Sequence, residues 1–192
     1  FMSHATRRSK AERNINGPLA RYYNESNRHP EIGVDEAGKG PMFGRVYAAA
    51  VCLPRSDDDF PHNLMKDSKR FHSNKKIMEA YEAIKKDALA WCVSFEEAQV
   101  IDTINIRQAT FKAMHKSILD VASQLKDMQC VDDPFLVIDG NDFMPITSIN
   151  QEGEFVHYNF TCVEGGDNKF THIAAASILA KVERDAYIDS IC

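Results

Sequence analysis

Four acidic residues stand where strand-like runs give way to loops. Asp35 and Glu36 follow IGV, Asp139 follows FLVI, and Asp167 sits in EGGDNK ahead of a long apolar helical pattern. An acid that ends a buried strand points into the crevice at that sheet edge, so neighbouring strands would bring several carboxylates together. Gathered anions repel one another, and relief comes from raised pKa values or from bound cations. An oxygen-only donor set selects hard ions such as Mg2+ or Mn2+. Each acid also has a plainer reading: Asp139 as a turn former in DGN, Asp167 as a helix cap, and Asp35 with Glu36 as a solvated pair.

Two basic segments accompany the acids. In IGVDEAGKGPMFG, residues 32–44, Gly38 and Gly40 flank Lys39. Such a backbone lets N–H groups approach a ligand closely, with one positive charge at hand. DSKR, residues 67–70, offers Lys69 and Arg70 as phosphate contacts. Acids for cations and bases for phosphates together point to a phosphate-rich substrate.

The elements that must position these residues follow from periodicity. The residues at 31–35 and 45–53 predict two strands, and so short a connection makes them antiparallel neighbours. Residues 55–72 carry both charge signs and predict a surface loop. From Ser73, the spacing of Ile77, Tyr81, Ile84 and Ala88 predicts a helix. A strand is expected over 90–95, a short helix near 96–101, and a long helix over 105–127 with Phe111, Met114, Ile118, Val121 and Leu125 on one stripe. FLVID, 135–139, has the unbroken apolar run of a strand buried on both faces. EFVHYNFTCV alternates Val156, Tyr158, Phe160 and Cys162 as one half-buried strand, and 172–188 predicts an alanine-rich helix fit to lie close on a sheet. Strands mixed with helices in this order give an α/β domain.

The 192 residues suit a single such domain, and no apolar run approaches a membrane span. Five scattered cysteines, Cys52, Cys92, Cys130, Cys162 and Cys192, form no CxxC pair, which argues against a disulfide framework and for a reducing, cytoplasmic setting. Net charge is -5, although residues 1–30 hold six Lys/Arg and only two acids. That segment is expected to be a polar, partly basic arm with a short helix around LARYY. The remaining body is more acidic than the whole, so a polyanion must be drawn to it by local basic clusters or by cations.

The strings taken together carry a resemblance. GVDEAGKGPMFG is similar to the opening motif of the ribonuclease HII family, DSKR to its short basic motif, and INIRQATFKAM to its middle helix. VIDGN resembles its third catalytic strand, and GGDNKFTHIAAASILAKVERD its most distinctive block. The resemblance runs from about residue 31 to residue 188. It implies a ribonuclease H-like fold, a five-stranded mixed sheet flanked by helices, with residues 31–192 as the catalytic domain.

By the same resemblance Asp35, Glu36, Asp139 and Asp167 hold two divalent cations, Mg2+ or Mn2+. Gly38, Lys39 and Gly40 correspond to the segment that touches the ribose 2′-hydroxyl. The family usually has Arg at the middle position, and Lys39 lacks that planar fork. Lys69 is similar to a phosphate-contacting lysine, with Lys169 and Lys181 as further substrate candidates; Arg184 and Asp185 are expected to be structural. The family continues past this helix with a tyrosine- and histidine-bearing segment that this sequence does not include, and Tyr187 is not assigned that tyrosine's role. The implied activity is endonucleolytic cleavage of RNA in RNA/DNA hybrids and on the 5′ side of single ribonucleotides in duplex DNA, leaving 3′-hydroxyl and 5′-phosphate ends. A monomer without membrane attachment is expected. The alternatives are another nuclease of the same fold, of the junction-resolvase kind, and a non-catalytic hybrid-binding protein.

Overall fold

Strand β1, Glu31–Ala37, alternates its side chains between two helical layers. Ile32 and Val34 enter one hydrophobic cluster with Phe111, Met114, Ile118 and Val121 of helix α3, Ile106–Asp127. The opposite face, Glu31, Gly33, Asp35 and Ala37, turns toward helix α4, Thr171–Ile191. A computed structural model describes residues 18–40, 44–130 and 132–192 of the chain.

Around β1 a five-stranded mixed sheet forms in the order β3-β2-β1-β4-β7. Strands β2, Val46–Cys52, and β3, Ala90–Glu96, extend it antiparallel on one side. Strands β4, Phe135–Asp139, and β7, Phe160–Val163, extend it parallel on the other. Helix α3 covers one face, where the Ser117 hydroxyl donates to the β2 carbonyl of Ala48 at 3.0 Å. Helices α4 and α1, Asn74–Asp87, cover the other, and a short helix α2, Ala98–Ile104, leads into α3.

The stripe expected for α3 is buried, as are Ile77, Tyr81 and Ile84 of α1 and the interior of β4, while Ala88 is the half-buried C-cap of α1. Residues Thr171–Ala180 of α4 are buried all round, because this half of the helix is enclosed by the sheet on one side and α1 on the other. Alanines allow that approach, and Gly33 completes it. A Cβ at position 33 would stand 2.4 Å from the His172 backbone carbonyl carbon.

Four expectations need correction. EFVHYNFTCV is two strands: β6, Phe155–His157, pairs with an unanticipated β5, Thr147–Ile149, in a separate hairpin, and only β7 joins the main sheet. The alternation had the right burial rhythm, but periodicity does not report which sheet a strand joins. The charged segment 55–72 is no mere surface loop, since Phe60, His62, Met65, Asp67 and Ser68 are buried. LARYY is not a helix but a bent segment in which Ala20 bridges Phe170 in parallel. Tyr23 and Asn24 donate their backbone N–H groups to Glu31, so this part of the expected arm packs on the domain. The remainder of that arm, residues 1–17, lies outside the described residues. All five cysteines are free thiols, and no helix among the described residues is long and apolar enough to cross a membrane.

Glu31 ties these parts together. Burial would raise its pKa, but hydrogen bonds from the His172 imidazole and from the Tyr23 and Asn24 amides outweigh it and hold the carboxyl below its usual 4.5. The His172 Nε2–Glu31 Oε1 distance is 2.9 Å. A depressed carboxyl stabilises the fold above its unfolded pKa and loses that contribution as pH falls through the lower folded value. Glu31→Gln is therefore expected to unfold at lower urea than wild type at pH 7 and to show a flatter loss of stability below pH 4.5. In the same assay Gly33→Ala should lose about 1–3 kcal/mol through overpacking against the α4 backbone.

Candidate active site

The parallel register of β1 and β4 ends at Val34 opposite Ile138. One residue further, Asp35 and Asp139 emerge as neighbours on the α4 side of the sheet. Like charges opposed across strands are unfavourable, so a fold that keeps them there has a use for both. Asp35 is 4% exposed, and its Oδ1 accepts the Glu36 N–H at 2.7 Å. Burial, followed by the charges of Asp139, Glu36 and Asp167, holds the Asp35 carboxyl well above the ordinary aspartate range. Glu36 is also raised, by burial and by Asp139 in spite of Lys39.

Asp167 reaches the same place from a one-turn 3-10 helix, Gly166–Asn168, between β7 and α4. The Gly166 N–H donates to Asp139 Oδ1 at 2.7 Å, which ties that turn to the end of β4. Asp167 does not cap α4, whose N-cap is Phe170. Burial, the Asp139 charge and the nearby Asp67 raise the Asp167 carboxyl to about 7, with Lys69 opposing.

These carboxylates line one cleft of about 400 Å3. Its wall also includes Gly38, Lys39, Gly40, Lys69 and Lys181, together with Arg184 and Asp185, for which only structural places were expected. Lys169 stands apart from this lining, and its carbonyl accepts the Ala20 N–H at 2.8 Å. Arg70 lines a separate groove with Arg21 and Lys66. Tyr187 packs in an aromatic cluster, its ring 4.1 Å from the Arg45 guanidinium.

Three residues not singled out from the sequence help to shape the cleft. Asp67 caps the DSKR turn by accepting the Lys69 N–H at 2.9 Å, and Ser68 Oγ meets Ser177 Oγ of α4 at 2.9 Å. An aspartate just ahead of a short polar turn is a recognisable capping signal. Its second partner, the Asn168 side-chain amide that donates to Oδ2 at 3.2 Å, is not readable, because a long stretch of chain separates them.

Among the described residues, no group of three or more Asp, Glu, His or Cys side chains stands ready-formed as a metal site. The donor chemistry nevertheless fits a hard cation. The donors are all carboxylate oxygens, and Asp35, Glu36 and Asp167 are each raised by burial and by the Asp139 charge, which a divalent ion would relieve.

The fold is that of a ribonuclease H-like α/β protein. Solved structures share the architecture: the ribonuclease H2 of Pyrococcus horikoshii at TM-score 0.61 and 22% identity, covering 84% of this chain and 74% of that one. The ribonuclease HII solved with PCNA from Archaeoglobus fulgidus superposes at TM-score 0.60 and 23% identity over 84% and 76% of the two chains. Bst-RNase HIII in complex with Mn2+ superposes at TM-score 0.60 and 18% identity over 84% and 54%.

The ribonuclease HII family model matches residues 32–192, and the chain belongs to that family. Ribonuclease HII of Bacteroides thetaiotaomicron is 42% identical over 161 residues, 84% of this chain and 70% of its own. The Porphyromonas gingivalis relative is 40% identical over 167 residues, 87% and 72% of the two chains. Membership carries the activity class, a hydrolytic endoribonuclease of ribonuclease H type 2.

The two loop glycines make a matched test. Gly38 has φ +94°, and a Cβ there would stand 2.7 Å from the Arg45 carbonyl oxygen and 2.6 Å from Arg184 Nε. A Cβ on Gly40 would meet nothing within 4 Å. Gly38→Ala is expected to lower stability by about 1–3 kcal/mol, whereas Gly40→Ala should stay within about 0.5 kcal/mol of wild type. Any cleavage rate lost by Gly40→Ala, measured beside thermal unfolding, then reports a collision with substrate and not with the protein.

Proposed function

We propose that the chain cuts the RNA strand of RNA/DNA hybrids, and duplex DNA on the 5′ side of single embedded ribonucleotides, leaving 3′-hydroxyl and 5′-phosphate ends. It acts as a monomer with two divalent cations, Mg2+ or Mn2+, held by Asp35, Glu36, Asp139 and Asp167. The observation that carries this reading is the shared cleft. Carboxylates from β1, β4 and the turn before α4 line it together with Lys39, Lys69 and Lys181. A protein that only bound nucleic acid would gain nothing by turning several anions toward phosphate.

The cations, when bound, supply Lewis acidity at the phosphodiester and lower the pKa of an attacking water. The chain's own residues do the rest. Lys69 is exposed on a turn fixed to α4 and offers its ammonium to a phosphate beside the cut. Lys181 provides a second positive charge, steadied by Asp185 one helical turn away at 3.2 Å. Lys39 lowers the pKa of neighbouring Glu36 and so favours its anionic, ligating form.

Discrimination between RNA and DNA rests on the 2′-hydroxyl, the group by which the two backbones differ. The backbone of Gly38, Lys39 and Gly40 is the reader we assign, because open space beside Gly40 lets a sugar come close. Lys169, outside the cleft lining, is left with a supporting place beside the turn that carries Asp167.

Incubation with Mg2+ or Mn2+ and a duplex holding one ribonucleotide, beside an all-DNA duplex and a long hybrid, tests the reading. Cleavage is expected in the first and third alone, and cutting of the all-DNA duplex would instead indicate a resolvase-like nuclease. Asp35→Asn should lower the rate more than about a hundredfold. The same substitution should raise the thermal midpoint in EDTA, since it removes a buried charge from three like neighbours while its amide oxygen can still accept the Glu36 N–H. Lys69→Ala should weaken duplex binding and reduce the slope of log affinity against log salt by about one unit. An unchanged slope would return Lys69 to the solvated surface.

A further inference from the structure

Asp67 is buried, 7% exposed, yet belongs to none of the elements that end in the carboxylate cluster. Both of its oxygens are engaged. Oδ1 accepts the Lys69 N–H at 2.9 Å, and Oδ2 accepts the Asn168 side-chain amide at 3.2 Å. One carboxylate thus joins the turn that presents Lys69 to the turn that presents Asp167, 101 positions apart along the chain. The Asn168 amide is held in one orientation by this contact, for its Oδ1 is buried without a partner, a state it would leave if the amide were free to turn.

We propose that Asp67 is a positioning residue, bridging to Asn168 so that the Lys69 ammonium and the Asp167 carboxylate keep a fixed separation across the cleft. The inference rests on the functional reading above, in which Lys69 grips a phosphate and Asp167 helps to hold a cation. Its physical content is that the two groups must act on one phosphodiester at once. A displacement of about 1 Å between groups that orient a reacting centre lowers rate by up to about a hundredfold.

Three variants separate bridge from charge. Asp67→Ala removes both hydrogen bonds. Asp67→Asn can keep them, with its oxygen on the Lys69 N–H and its amide donating to Asn168 Oδ1 once that side chain turns over. Asn168→Ala breaks the bridge and leaves the cap on Lys69. In metal-free protein, amide exchange at Lys69 should quicken at least about tenfold in Asp67→Ala and stay near wild type in the other two.

With saturating Mg2+ and the single-ribonucleotide duplex, kcat should fall about tenfold to a hundredfold in Asp67→Ala and in Asn168→Ala, with KM changing less than about threefold. Asp67→Asn should remain within about threefold of wild type. Thermal unfolding of each variant shows whether the fold persists, and Asn168→Ala carries the test should Asp67→Ala not fold. A kcat within threefold of wild type in Asn168→Ala, or an Asp67→Asn enzyme as impaired as Asp67→Ala, overturns the bridge. A wild-type chain that cuts no ribonucleotide-containing duplex overturns the functional reading and this inference with it.

Discussion

Helix α4 rests on β1 at backbone contact distance, and the arrangement holds only while position 33 lacks a side chain. Gly33 meets the carbonyl of His172 and the amide of Ile173 where a Cβ would stand. Two residues earlier, Glu31 takes a hydrogen bond from His172, and two residues later Asp35 opens into the cleft. The period of two along a strand therefore lines up an anchor, a gap and a functional acid on one face. The depth at which α4 sits also sets where the Gly166–Asn168 turn stands, because Ile173 packs against Gly166. A helix displaced outward by one methyl group would carry Asp167 away from Asp139.

The enclosure that this packing produces is also what makes the acids expensive to hold. Asp35 is nearly inaccessible, so water does little to screen it from Asp139, Glu36 and Asp167. Two buried groups behind the cleft are well supplied from within the chain: Glu31 by three donors, His62 by the Pro54 carbonyl and the Thr171 hydroxyl. The carboxylates of the cleft have few such donors, chiefly the Glu36 and Gly166 amides. They line the cleft wall instead. That contrast separates a site built to bind from a core that is complete in itself.

Much of this was legible in local pattern. Asp35 and Asp139 end strand runs, and the sheet register then makes them neighbours by simple alternation. The α3 stripe and the apolar run of β4 follow from periodicity alone. What escaped the sequence depends on distant pairing. Nothing in Ala20 announces that it will bridge Phe170, and nothing in the charged run 55–72 announces that Phe60 and His62 turn inward. Asp67 shows only its local cap, since the Asn168 amide that takes its other oxygen is far along the chain. The β5–β6 hairpin was hidden for another reason: its strands are short, with Phe155 83% exposed, and the half-buried alternation through Val156 does not report which sheet they join.

The charge distribution has a consequence for how substrate and cations meet. The body of the chain is acidic, so long-range attraction for a polyanion is weak and the basic side chains of the cleft act locally. Three of those, Lys39, Lys69 and Lys181, are point charges without the planar fork of arginine, with Arg184 as the one guanidinium in the wall, and lysines confer proximity more than direction. Direction must then come from the rigid parts: the end of β1, the end of β4 and the turns pinned to α4. A phosphate entering an unneutralised cleft would meet carboxylates that already repel one another, while cations entering first would reverse the sign of that encounter. If the acids hold cations as proposed, binding of each favours the other by the same factor, as linkage requires.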